Sequence, residues 1–153
     1  MKHIMKLLIV GTLFTLLACQ SDTGKSKTKS DAKFSNTELK AQQKAWDEVM
    51  KIHDAIMPQM GALDKAGVKL EEALKLEKDT NRIASLERTI REVKAADKLM
   101  WDWMYALVQL EELRKTKTHK EIMTYLSKEL TRIKKVKEKM ERSIQHSIEQ
   151  TKK

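Results

Sequence analysis

From Leu39 to Leu74, apolar or small residues recur on a seven-residue rhythm: Leu39, Trp46, Val49, Ile56, Met60, Leu63, Gly67, Leu70 and Leu74. Intervals of three and four place such residues on one stripe of a helix, so the pattern predicts a long amphipathic helix. Ser35-Asn36-Thr37-Glu38 opens it. A Ser hydroxyl accepting from the backbone three residues on, with a Glu reaching back, satisfies two orphan N–H groups at once. His53 falls in the same seam, seven after Trp46 and seven before Met60. Pro58 lies inside the stretch, lacks a backbone donor and crowds the preceding turn, which predicts a kink over Met57–Gly61.

Asp79-Thr80-Asn81 reads as a turn and cap. A second helix is expected from there to about Lys115, along Ile83, Leu86, Ile90, Val93, Asp97, Met100, Met104 and Leu107. Ala96, Trp103 and Leu110 form a flanking row, and a stripe this wide suggests contact with two neighbours. Asp97 within the seam is a candidate for setting helix register. Thr118-His119-Lys120-Glu121 is a second capping box, opening a third helix along Ile122, Leu126, Leu130, Ile133, Met140, Ile144 and Ile148. Short connections make consecutive helices antiparallel neighbours. The expected fold is therefore all-α: three long antiparallel helices in an up-down-up, coiled-coil-like bundle over residues 35–153, the first kinked near Pro58. The alternative is a helical hairpin whose third helix pairs with another molecule, which would allow self-association through helix three. No internal repeat at a solenoid period is present.

Composition supports the helical reading. Four glycines, one proline and 35% charged residues fit long helices better than a turn-rich sheet. A net charge of +9 favours an anionic partner or surface without naming it. The third helix concentrates that charge, with ten Lys or Arg from Thr118 to Lys153 against five Glu. Its "RIKKVKEKMER" run suits anionic lipid, an acidic partner, or a plain solvated face with i,i+4 pairs such as Glu138–Arg142.

The N-terminal region follows another logic. Lys2 and Lys6 precede an uncharged run of eleven residues, Leu7–Leu17, and the one cysteine follows at Cys19. A spanning helix needs ~20 apolar residues, so this run is too short to remain in a membrane. A basic start, a short apolar middle and a small residue before the cut describe a secretory signal peptide over residues 1–18. A single thiol allows neither an internal disulfide nor a cysteine metal cage. Gln20 to Lys33 shows no apolar periodicity and is expected to be a disordered tether, the tether region ending at residue 34. As a flexible coil its fourteen residues would span ~20 Å.

Leu16-Leu17-Ala18-Cys19 resembles the lipobox of bacterial lipoproteins. The resemblance implies that Cys19 is lipidated on sulfur, that the leader is cut just before it, and that the new amino terminus is acylated. Several acyl chains make a durable anchor where one holds only marginally, at ~0.8 kcal/mol per buried methylene. In enterobacterial lipoproteins an aspartate after the cysteine favours inner-membrane retention; Gln20 there points to the outer membrane of the cell envelope. "VMKIHDAIMPQM" and "LMWDWM" are similar to stretches of small helical lipoproteins of Bacteroidota, some named viral A-type inclusion protein. That likeness implies helices and an envelope location, and assigns a role to no residue besides Cys19.

With a turn near Thr80, residue i of the first helix should face roughly residue 159 − i of the second, which brings His53, Met57, Met60, Met100 and Met104 together. Thioethers with an imidazole suit a soft ion such as Cu(I). Methionine also fills irregular gaps, as a proline kink makes, so packing is the competing reading. Trp101, Trp103 and Tyr105 are expected in the core or at its rim. No H-E-x-x-H, phosphate-cradling glycine loop or activated nucleophile occurs, so no catalysis and no cofactor are expected. Nucleic acid is not an expected partner of an exported chain without aromatic-interleaved basic motifs. The functional expectation is a lipid-anchored scaffold or binding module with a protein partner in the envelope. The alternatives are a periplasmic copper binder and an anionic lipid or polymer binder. Mass spectrometry of the native product should find a chain beginning at an acylated Cys19; an unmodified sulfur or a retained leader would overturn the envelope assignment.

Overall fold

The structure, a computed structural model, describes residues 33–152; the leader, the lipobox with Cys19 and the chain up to residue 32 lie outside the described residues. All secondary structure among the described residues is helical: α1 (Asn36–Ile56), a 3-10 turn (Met57–Gln59), α2 (Met60–Leu76), α3 (Thr80–Ala106), α4 (Leu110–Thr116) and α5 (His119–Thr151).

The three expected caps form. The Ser35 hydroxyl accepts from Glu38 N–H while the Glu38 carboxylate accepts from Ser35 N–H at 2.8 Å. Thr118 and Glu121 repeat this arrangement at α5. Asp79 accepts from Arg82 N–H at 2.8 Å to open α3. Pro58 acts where expected: it offers no N–H to the preceding turn, and the helix tightens into the 3-10 turn before resuming at Met60.

Two features differ from expectation. The second helix does not run on to Lys115; it stops at Ala106, passes through extended residues at Leu107 and Gln109, and restarts as α4. The break has identifiable causes. Val108 N–H donates to the Tyr125 hydroxyl at 2.8 Å instead of to a helical carbonyl. The turn also lets Leu110 and Leu113 pack with Phe34, Ile122 and Leu126. Secondly, the fold reaches back before its first cap. Phe34 is buried in that same cluster, and Lys33 Nζ donates to Arg114 O at 2.8 Å and Lys115 O at 2.9 Å, closing the C-terminus of α4.

Packing follows from the stripes. α3 lies against both α2 and α5, as its wide apolar face requires; α5 also packs on α1 and α2, and α4 touches α1 and α5. The large core cluster holds Val49, Ile56, Leu63, Leu70, Leu86, Val93, Met100, Trp103, Ile133 and Met140. Along α3 and α5, residue numbers rise on one helix as they fall on the other: Arg82 meets Gln150 and Glu92 meets Ser143, and just beyond α3 Val108 meets Tyr125. On α5 the apolar seam turns out of the core near its end. Ser143 and Ser147 are buried there and Ile148 is exposed. Ser143 donates to Glu92 O at 3.2 Å, so a small residue lets α3 approach closely.

Truncating the fully buried Ile133 to Ala should lower unfolding free energy by about 2–5 kcal/mol, and Thr118→Ala by about 1 kcal/mol, both read by denaturant titration. The Glu121 carboxyl is held below its ordinary value of 4.5, first by the Thr118 backbone N–H and then by the Thr118 hydroxyl. A lowered native pKa contributes stability above the ordinary value, lost as pH falls through the native one. The unfolding midpoint should therefore drop below pH 4.5, and Glu121→Gln should flatten that drop.

Candidate functional site

Four of the five residues expected as soft-metal ligands, the methionines, belong to the large core cluster or pack against it. Met100 is fully buried in the large cluster, and Met57, Met60 and Met104 pack against it. His53 on α1 joins them through its ring, whose centroid lies 5.7 Å from that of Trp103 at a 33° tilt. Its Nδ1 sits 2.8 Å from Asp54 Oδ1, so the imidazole is oriented by its chain neighbour. Asp97 borders a shallow groove between α2 and α3 with Lys94 and Glu71, which pair at 2.8 Å. In that groove a Cβ added to Gly67 would meet Val93 Cγ1 at 3.8 Å, in keeping with the facing register of the two helices.

The three aromatic residues at the end of α3 divide. Trp103 is core, 2% exposed; Trp101 at 44% and Tyr105 at 83% face outward and stack on each other with centroids 6.0 Å apart. Residues two apart lie on nearly opposite sides of a helix, so the two indoles cannot share a face.

Trp103 also exposes something that periodicity misses. Its Nε1 is buried without a partner among the described residues, and so is Oε2 of Glu129 on α5. The α3–α5 register sets Trp103 opposite the turn from Glu129 to Ile133. Glu129 is 3% exposed, and its other oxygen accepts from Arg132 Nη1 at 2.8 Å. Nothing in the sequence marks Glu129 as buried, because it falls within a run of charges typical of a solvated face.

A second polar centre joins α1, α4 and α5. Gln42 is fully buried; its Oε1 accepts from Arg114 Nε at 3.0 Å, and its Nε2 lies 3.2 Å from His119 Nδ1. With the amide oxygen engaged by Arg114, the Nε2 side donates, so His119 Nδ1 is the acceptor. Arg114 also donates to Leu39 O at 3.2 Å and to Glu111 at 2.6 Å.

On α5 the basic face is only partly neutralised. Arg132, Lys137 and Arg142 pair with Glu129, Glu141 and Glu138, the last being the expected i,i+4 contact. Lys120, Lys128, Lys134, Lys135 and Lys139 have no carboxylate within 4.0 Å among the described residues. Among the described residues, no group of three His, Cys, Asp or Glu is placed to hold a metal ion, and no helix is long and apolar enough to cross a membrane. No protein family, curated protein or solved structure matches the chain.

A buried carboxylate oxygen without a partner destabilises, and apolar replacement of buried ionic groups is often stabilising. Glu129→Met should raise stability by about 1 kcal/mol, or roughly 4 °C in midpoint for a unit of this size. A lowered midpoint in thermal unfolding would show instead that Oε2 is engaged in solution.

Proposed function

We propose that the chain is a lipid-anchored helical scaffold or binding module of the bacterial cell envelope, moored through Cys19 and without catalytic activity of its own. The observation that carries this reading is the way the fold begins. Lys33 and Phe34, the first described residues after the tether, are built into the α4 corner by two hydrogen bonds and a buried ring. A tether attached there holds the helical unit by a fixed corner instead of by a fraying helix end. On this reading α1 with α2, α3 with α4, and α5 form the three arms of an up-down-up bundle on the outer membrane. The exposed faces of α3 and α5 are then free for an envelope protein partner. Crosslinking in intact cells, followed by mass spectrometry, should capture a discrete envelope partner on these faces; captures no different from an unrelated lipoprotein would count against the proposal.

A second reading, a Cu(I) site at His53, Met57, Met60, Met100 and Met104, is favoured by their shared cluster and by the His53 ring lying against Trp103. Cu(I) held there would quench Trp103 emission. Tight quenching that disappears in Met57→Leu/Met60→Leu would support it, and an unchanged spectrum would end it.

A further inference from the structure

Next to the corner where the tether joins the fold lies a groove of about 350 Å³ running along the first turns of α5. Leu113 and Tyr125 contribute apolar surface to it, and the side chains of Lys117, Lys120, Lys128 and Glu121 also line it. Lys117 approaches Glu121 only at 4.0 Å, and Lys120 and Lys128 have no carboxylate partner among the described residues. The Glu121 carboxylate is already engaged by Thr118, at 2.8 Å to both its N–H and its hydroxyl. An apolar strip bordered by three lysines and one carboxylate carries a net positive charge and is complementary to an anionic amphiphile. Its charged head meets the lysines and its glycerol and upper acyl region meets leucine and tyrosine.

The position of the groove selects the source of that amphiphile. Leu113 shares its apolar cluster with Phe34, and Lys33 closes the helix that carries Leu113. Lys33 stands fourteen positions after Cys19, a length that spans ~20 Å as a flexible coil. In a chain anchored at Cys19, this groove therefore stays within reach of the bilayer surface, where the tether keeps its effective concentration high.

We propose that the Leu113–Tyr125 groove, with Lys117, Lys120 and Lys128, seats an anionic lipid of the membrane that anchors the chain, docking the α4–α5 corner against the bilayer. This inference depends on the anchored reading above and adds an orientation to it. Each lysine near an anionic surface is worth roughly fivefold in partition, so the three together bias a freely tethered domain strongly toward the docked state.

The test uses the native acylated chain carrying Thr124→Cys, labelled there with an environment-sensitive fluorophore. It is reconstituted into vesicles of phosphatidylcholine alone, or with 30% phosphatidylglycerol, each containing spin-labelled lipid. Docking predicts flotation with both vesicles, but quenching of the label only with phosphatidylglycerol. That quenching should fade in 0.5 M salt and fall at least tenfold in Lys117→Gln/Lys120→Gln/Lys128→Gln. It should persist in Lys134→Gln/Lys135→Gln/Lys139→Gln, which changes as many charges further along α5. Flotation with an unquenched label, or equal losses in both triple variants, overturns the groove proposal and leaves the anchor standing. Failure to float with neutral vesicles overturns the anchor and the groove together.

Discussion

The buried Gln42 amide is the constraint on which the α1–α4–α5 corner of the molecule depends. A carboxamide with no solvent exposure must find its partners inside the protein, because each unmet donor or acceptor costs about 1–3 kcal/mol. Gln42 on α1 meets Arg114 from α4 on one side and His119 from α5 on the other. Three helices are thereby fixed to one small planar group. The guanidinium extends the network to Leu39 O and Glu111, so α4, only seven residues long, holds its place through polar geometry as much as through apolar area. Short helices are marginal alone. This one is stabilised by Gln42 on one side and by Lys33 at its C-terminal carbonyls.

The break between α3 and α4 is the second consequence of that corner's design. Had α3 continued as a straight helix, Leu110 and Leu113 would have extended its own stripe. Turning at Leu107–Gln109 sends them to a separate cluster with Phe34, Ile122 and Leu126. The Tyr125 hydroxyl accepts the freed Val108 N–H, and burial pushes that hydroxyl's pKa up, so it remains protonated across physiological pH. The apolar interior is thus two clusters. The larger spans the 3-10 turn and the facing parts of α3 and α5; the smaller secures the corner where the chain joins the fold.

Local signals in the sequence were enough to place the starts of α1, α3 and α5, because capping boxes and an Asp cap are short-range chemistry. Pro58 announced its own interruption for the same reason. The wide stripe on α3 correctly foretold two neighbours, and Ala96 and Trp103 are buried in it; Leu110, expected in the same row, is buried on α4 instead. The α3–α4 break was not legible: no proline or glycine marks it, and its cause is a tyrosine hydroxyl seventeen residues away. Gln42, Glu129, Ser143 and Ser147 escaped because a pattern of apolar residues cannot register a polar side chain whose partner comes from another helix. The seam positions of Met57, Met60, Met100 and Met104 were legible as core packing, since all four lie in the large apolar cluster or against it. The outward position of Trp101 and Tyr105 follows from their offset from that seam, which the sequence shows but the clustering of aromatic letters disguises.

The two ends of the helical unit are closed by the same device with different consequences. At one end Arg82 donates to the side chain and the backbone carbonyl of Gln150, tying the α2–α3 turn to the C-terminus of α5. At the other, Lys33 donates to the last carbonyls of α4. Both place a cation on orphan carbonyls at the negative pole of a helix, where it is favoured. The Arg82 contact joins elements that are distant in sequence and so closes the fold on itself. The Lys33 contact joins the fold to the segment leading back to Cys19. A pull arriving through that segment meets Lys33 and Phe34 before it meets α1, and is shared among α4, Gln42 and α5. In the anchored state proposed for this chain, α1 would begin to unwind only after the corner had been dislodged. In that proposed state the corner would serve both as a mechanical attachment and as the point that determines which surface faces the membrane.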